Sequence, residues 1–172
     1  MAKIKLRKIT LDDTKKIVKW RNNSNVKKNF CYQEDLTVNI HEKWFKTRIT
    51  TGEVIQFIII DEEKNKEVGS TYLRDIDYKN KKAEFGIFIG EDDARGRGIG
   101  TESVKKTIKY GFQKLKLHKI MLRVFSNNTS AIRAYEKAGF NYEGTAKDDI
   151  LLKNGLYQDI VFMSIINDNQ KE

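Results

Sequence analysis

The chain has 172 residues and a formal charge of +9, from 33 lysines and arginines against 24 aspartates and glutamates. With Cys31 as the only cysteine no internal disulfide can form, and no apolar run approaches the roughly 18 residues of a membrane helix. The basic residues are scattered rather than gathered in a stripe interleaved with aromatics, which argues against nucleic acid and reads as a solvated lysine-rich surface that also suits an anionic small ligand.

The first ten residues, MAKIKLRKIT, alternate charged and apolar groups and hold no signal-peptide core, so a cytoplasmic protein without a membrane partner is expected. Residues 3–9 predict a first strand, with Ile4, Leu6 and Ile9 apolar. Thr10 opens a T-x-x-D pattern closed by Asp13, a helix start. Ile17, Val18 and Arg21 follow at helical spacing, and Trp20-Arg21-Asn22 closes the helix before a polar break over residues 22–25. Trp20 fits a core position. The Trp20-Arg21-Asn22 run and Phe30-Cys31-Tyr32 fit equally the wall of a substrate pocket, and the sequence leaves both readings open.

Residues 36–49 predict a second helix, with Ile40, Trp44, Phe45 and Arg48 on related faces. His41 lies on it and reads as a hydrogen-bonded structural residue. The other histidine, His118, is distant, and no Cys/His cluster has metal-ligand spacing, so no metal is expected. Cys31 reads as a small, partly buried side chain rather than a nucleophile. Gly52 breaks the helix. Residues 54–60 predict a buried strand, 62–67 a charged hairpin turn, 68–76 the next strand, and 78–82 a turn into a third strand. This part of the chain is an antiparallel meander.

The stretch over residues 83–101, AEFGIFIGEDDARGRGIGT, reads as a strand, an acidic turn, a glycine-rich loop and a helix start. Glycines permit positive φ and close backbone approach, so successive N–H groups converge on an anion in front of the helix dipole. Arg95 and Arg97 add charge, which suits a phosphate or pyrophosphate. The spacing is G-x-G-x-G at Gly96, Gly98 and Gly100. That lacks the lysine of a Walker loop and brings the third glycine of a dinucleotide fingerprint one residue early. Val104, Ile108, Phe112 and Leu115 continue the helix, and residues 119–125 predict another strand. A polar loop leads to a short helix over 130–138 ended by Gly139. Strands around 142–152 and 157–166 flank the Lys153-Asn154-Gly155 turn, and a polar tail occupies 166–172. No repeat, proline or long linker divides the chain, so one domain over 1–172 is expected.

The R-x-x-G-x-G pattern from Arg95 through Gly98 to Gly100 resembles the acetyl-CoA pyrophosphate loop of the GCN5-related N-acetyltransferases, the GNAT superfamily. The segment over 128–140, NTSAIRAYEKAGF, is similar to a second motif of that family, in the right order downstream. The resemblance covers the whole chain. It implies an α+β, three-layer GNAT fold, with a mixed, mostly antiparallel sheet of about seven strands, helices on both faces, and a splay between strands 4 and 5. It also implies acetyl-CoA as co-substrate, with the backbone of Ile87, Phe88 and Ile89 along the pantetheine. The loop of Arg95, Gly96, Arg97, Gly98, Ile99 and Gly100, with Thr101, would lie on the pyrophosphate, and Asn128 near the pantetheine.

By the same resemblance, Tyr135 is the general acid toward the leaving thiolate and Glu84 the base that takes a proton from the amine. A backbone N–H near Ile89 is the oxyanion donor. The acceptor is harder to read. The N-terminal part resembles the branch that acetylates amino sugars on nucleotide carriers, with Trp20, Arg21, Asn22 and Phe30 as the acceptor-binding candidates. The C-terminal part, Glu143-Gly144 through Asn154 to Tyr157, is shared with spermidine and ribosomal-protein acetyltransferases. The expectation is therefore direct acetyl transfer to an amino-sugar nucleotide. A polyamine or a protein N-terminus is the alternative, and a non-catalytic CoA-binding module is the alternative of a different class. A homodimer is expected from the family.

Overall fold

The structure, a computed structural model, describes residues 1–168. Its strands are β1 (Ile4–Lys8), β2 (Ile55–Asp61), β3 (Lys66–Asp77), β4 (Lys82–Ile89), β5 (Lys119–Phe125), β6 (Asn141–Leu151) and β7 (Tyr157–Ile166). They form one seven-stranded sheet in the order β1-β2-β3-β4-β5-β7-β6. Every neighbouring pair is antiparallel except β4 and β5, which are parallel. The helices are α1 (Thr14–Asn22), α2 (Ser24–Lys27), α3 (Val38–Trp44), α4 (Ile99–Gln113) and α5 (Thr129–Lys137). None is long and apolar enough to cross a membrane.

Strand alternation divides the sheet into two apolar faces. On one, Ile17 and Trp20 of α1 pack with Ile58 and Phe88. On the other, Val104 and Ile108 of α4 pack with Leu73, Phe85, Ile120 and Leu122. Ile58 looks to α1, while its neighbour Ile59 packs with Ile99 of α4. A strand buried on both faces is what the unbroken QFIII run requires.

Three boundaries differ from the sequence reading. The polar break over 22–25 becomes α2, because the Asn23 side chain accepts the Asn25 N–H at 2.9 Å and starts a new turn. The second helix begins at Val38 rather than at 36, since Thr37 is its cap and accepts from Ile40 at 3.3 Å. From Phe45 it widens into a π-helical turn, Phe45–Ile49. Ile166, given both to the last strand and to the polar tail, belongs to the strand, as a rung of β7 opposite Lys119, and Asn167 beyond it donates its N–H to the His118 carbonyl at 2.8 Å. Residues 169–172 of that tail lie outside the described residues.

The first turn of α1 is tied to the sheet through Asp13. This carboxylate is 5% exposed and accepts two hydrogen bonds from Arg7, at 2.8 and 3.0 Å, and one from the Thr10 N–H at 2.8 Å. Burial pushes its pKa up, but Arg7 and the Thr10 amide together hold it below its ordinary 3.8. A depressed folded pKa means that this contribution to stability is complete above the unfolded value. It is lost as pH falls through the folded one. Asp13→Asn should therefore flatten the fall in stability below about pH 4. Asp13→Ala should cost about 1–3 kcal/mol in urea unfolding at neutral pH, since it strands Arg7 and the Thr10 amide.

Candidate active site

The parallel pairing of β4 with β5 lasts three rungs, Lys82↔Lys119, Ala83↔Ile120 and Glu84↔Met121. From Phe85 onward β4 keeps its partner β3 but has none on the β5 side. An edge of backbone N–H and C=O groups is thus presented inside the sheet, where an extended ligand can pair with it. This is the splay expected between strands 4 and 5. Alternation sends Phe85, Ile87 and Ile89 to the α4 face, and Glu84 and Phe88 to the α1 face.

Tyr135 stands on the α4 side of the gap. α5 holds it, capped by Asn128, whose side chain accepts the Ala131 N–H at 3.3 Å. The ring is 8% exposed and meets Phe85 and Phe140 edge-on, with centroids 6.1 and 5.9 Å away. Its hydroxyl bonds to no residue among those described. Burial pushes the phenol pKa well up, and Tyr72 adds to the shift, so the group is a neutral O–H donor at ordinary pH.

The glycine loop enters α4 with Gly96 and Gly98 at φ +70° and +79°. A Cβ built at Gly100 meets nothing within 4 Å, so a ligand can come against the backbone there. A cleft of about 440 Å³ opens beside it, lined among others by Arg97, Gly98, Thr101 and Glu102. A larger open groove of about 780 Å³, beside Lys16, Trp20 and Glu67, includes neither Glu84 nor Tyr135. The two arginines of the loop are already engaged. Arg97 pairs with the buried Asp61 at 2.5 Å and with Glu63 at 3.1 Å. Arg95 donates to the carbonyls of Ile89 at 2.8 Å and Asn25 at 3.3 Å. They brace the loop, and the anion site that remains is made of backbone N–H groups and the α4 dipole. Ile99 is buried and contributes only its backbone.

On the α1 face Glu84 sits at the apex of the splay. Its Oε1 accepts from Arg74 of β3 at 2.6 Å and from Arg123 of β5 at 3.3 Å, a clasp over three strands. Its Oε2 has no partner among the described residues. Tyr72 lies two residues before Arg74, opposite Gly86, and its ring covers Gly86 so closely that a Cβ there would overlap it. Arg21 completes this face, its guanidinium carbon 3.4 Å from the centroid of the Phe30 ring.

Two of the sequence-derived site residues, Trp20 and Asn22, are placed differently from a role in the acceptor wall. Trp20 is core, 1% exposed, packed under Gly90, with its indole N–H donated to Glu91 at 2.7 Å. Asn22 clamps the backbone of Leu36, donating to its carbonyl and accepting its N–H, both at 2.8 Å. Both side chains hold the scaffold that presents Arg21 and Phe30. Asn128 caps α5 with its side-chain oxygen, and Phe88 turns its side chain to the α1 face while its backbone stays on the free edge of β4. His41 is buried with Nδ1 3.0 Å from the Thr14 hydroxyl, as its structural reading requires. Among the described residues no group of three His, Cys, Asp or Glu is placed to hold a metal. Sequence reading missed Tyr72, Arg74 and Arg123. The alternation of Tyr72 and Arg74, and a small Gly86 opposite an aromatic, was the available signal.

A sequence model of the acetyltransferase (GNAT) domain matches residues 3–141. The spermidine N(1)-acetyltransferase of Vibrio cholerae is 29% identical over 165 residues, which cover 96% of this chain and 94% of that protein. A crystal structure of the Vibrio cholerae spermidine N-acetyltransferase with CoA and spermine matches with a TM-score of 0.88 at 28% identity, over 95% of each chain. A dodecameric structure of the Vibrio cholerae enzyme matches with a TM-score of 0.82 at 28% identity, over 98% of each.

Gly100 separates a ligand cradle from a plain turn. Gly100→Ala adds a methyl group in open space and improves helix propensity, so the melting temperature should hold or rise. The same methyl group should raise the dissociation constant for acetyl-CoA about tenfold or more, read by calorimetry. Unchanged binding would show that nothing approaches this backbone.

Proposed function

The chain belongs to the GNAT acetyltransferases and is an acetyl-CoA-dependent N-acetyltransferase, and we propose that its acceptor is a small primary amine of the polyamine class. The similarity to spermidine acetyltransferases over nearly the full length of both chains carries this reading. The amino-sugar nucleotide expected from the N-terminal residues gains no support from these relatives and gives way to the polyamine alternative. Because the relatives are enzymes, the non-catalytic module gives way as well.

The chain's own residues suit direct transfer. Backbone N–H groups of the glycine loop hold the pyrophosphate, with Thr101 at the head of α4. The free edge of β4 over 85–89 lies along the pantetheine and supplies a backbone N–H to the oxyanion. The amine enters from the α1 face and meets Oε2 of Glu84, which takes its proton directly or through water. Tyr135, kept neutral by burial, donates its proton to the departing thiolate. Geometry favours these roles because Glu84 and Tyr135 flank the same gap from opposite faces of the sheet.

A second reading rests on one observation. Three guanidiniums, from Arg21, Arg74 and Arg123, gather on this side of the sheet around Glu84, with the exposed Asp75 beside Arg74 as the one further carboxylate paired to them among the described residues. That balance suits an acceptor carrying negative charge as well as an amine. The dodecamer of the Vibrio cholerae relative supports self-assembly here, beyond the homodimer expected from sequence, and light scattering measures it.

Thiol release from acetyl-CoA tests the function. Spermidine or spermine should be turned over, and Tyr135→Phe should lower kcat about 100-fold or more with acetyl-CoA binding retained. Glu84→Gln should also lower kcat, with acetyl-CoA binding retained. Full activity in Tyr135→Phe would remove it as the acid, and no turnover of either polyamine would remove the polyamine reading.

A further inference from the structure

Arg21 is held in an unusual state for a cation. It closes α1, and its guanidinium lies flat on Phe30, with Phe88 5.9 Å away and the two rings edge-on at 6.0 Å. Its Nη1 is buried and has no hydrogen-bond partner, and no carboxylate pairs with the side chain among the described residues. Burial pushes its pKa down, Tyr72 opposes that, and the charge of Arg74 adds to it. A buried donor with nothing to bond costs stability, and a stacked guanidinium keeps its N–H edge free for a planar or tetrahedral oxyanion. Arg74 faces the same space, and its buried Nε makes no hydrogen bond, with the Asp75 carboxylate 3.6 Å away.

Two other arginines set the contrast. Arg7 and Arg97 are each matched by two carboxylates. On the acceptor side Arg74 and Arg123 share Glu84, Arg74 also lies 3.6 Å from the exposed Asp75, and Arg21 has no carboxylate among the described residues. A polycation entering here finds Glu84 for one ammonium and like charge for the rest. An amine that also carries an anion finds Glu84 for its ammonium and Arg21 for its oxygens.

We infer that Arg21 is an anion-recognition point of the acceptor site, so that the protein acetylates primary amines bearing a carboxylate or a phosphate. This goes beyond the polyamine reading and rests only on the acetyl-transfer reaction. The specificity resides in Arg21, because Arg74 and Arg123 are also needed to hold Glu84.

Matched acceptors test it. 4-Aminobutyrate replaces one amine of putrescine by a carboxylate, and glucosamine 6-phosphate adds a phosphate to glucosamine. CoA release should give kcat/KM about 10–100-fold higher for at least one anionic member than for its partner. The two pairs tell carboxylate from phosphate. Arg21→Met should erase the preference through KM, with little change in kcat, and should lower the KM for putrescine. Arg21→Lys, which keeps the charge and loses the planar fork, should retain part of it. Arg21→Met should also raise the melting temperature, because a buried unpaired donor is removed. A preference of the wild type for putrescine and glucosamine, with spermidine still turned over, overturns the inference and leaves the polyamine reading standing. Turnover of an anionic amine without any polyamine upholds the inference and removes that reading. Equal loss on every acceptor in Arg21→Met, with a lower melting temperature, makes Arg21 structural. Absence of turnover on all four acceptors also overturns it.

Discussion

Everything at this site depends on where the hydrogen bonds between β4 and β5 stop. Three rungs of parallel pairing end at Glu84, and the next five residues of β4 have a ladder on one side alone. Buried backbone groups need partners, so a gap inside a sheet is stable only where something else fills it. On the α4 face the rings of Phe85, Tyr135 and Phe140 wedge against one another and keep α5 beside the gap. On the α1 face Arg74 and Arg123 grip Glu84 from the two neighbouring strands and fix the point of divergence. The chemistry is assembled at that point because it is the one place where both faces of the sheet can be reached through it.

The glycine loop shows how charge and backbone divide the work. Arginines next to glycines suggest side chains that bind phosphate. Here Arg97 reaches back to the β2–β3 hairpin through Asp61 and Glu63, and Arg95 is spent on the end of β4 and on the Asn25 carbonyl. Their contribution is rigidity. A loop with two residues at positive φ has many unfolded alternatives, and bracing it from both sides holds the N–H groups in place before a ligand arrives. The anion site is therefore a property of backbone direction, which also leaves space for a ligand at Gly100.

Much of this was legible in the residues. The strand order of the meander follows from alternating runs, the both-face burial of β2 from QFIII, and the loop geometry from glycine spacing. Two motifs in order were enough to place Tyr135 beside a splay. The partners of polar side chains were not legible, because a sequence gives residue type and not the group across the sheet. Trp20 reads equally as core and as pocket wall until Gly90 and Glu91, seventy residues on, prove to be its bed. Asn22 reads as a ligand until Leu36 claims both of its amide atoms. Arg74 and Arg123 sit in ordinary strands, and only the register Arg74↔Glu84 and Glu84↔Met121 gathers them.

Overall charge does not decide the acceptor; its local distribution does. Most of the +9 sits on scattered lysines, where water and salt screen it. The guanidinium of Arg21, partly shielded from water by Phe30 and Phe88, is less screened and acts with higher strength. Full-length similarity to spermidine acetyltransferases describes the scaffold that positions acetyl-CoA and the gap, and so it speaks most directly to the reaction. The acceptor is met by a handful of side chains on the opposite face, and these can change without disturbing β4, β5 or α4. An arginine with a buried, unbonded Nη1 is costly to keep, and nothing in the packing of α1 requires its charge, since Ile17, Trp20 and the Phe30 ring already make the apolar contacts. A scaffold shared with polyamine acetyltransferases is compatible with a lining matched to negative charge, because the two rest on different residues.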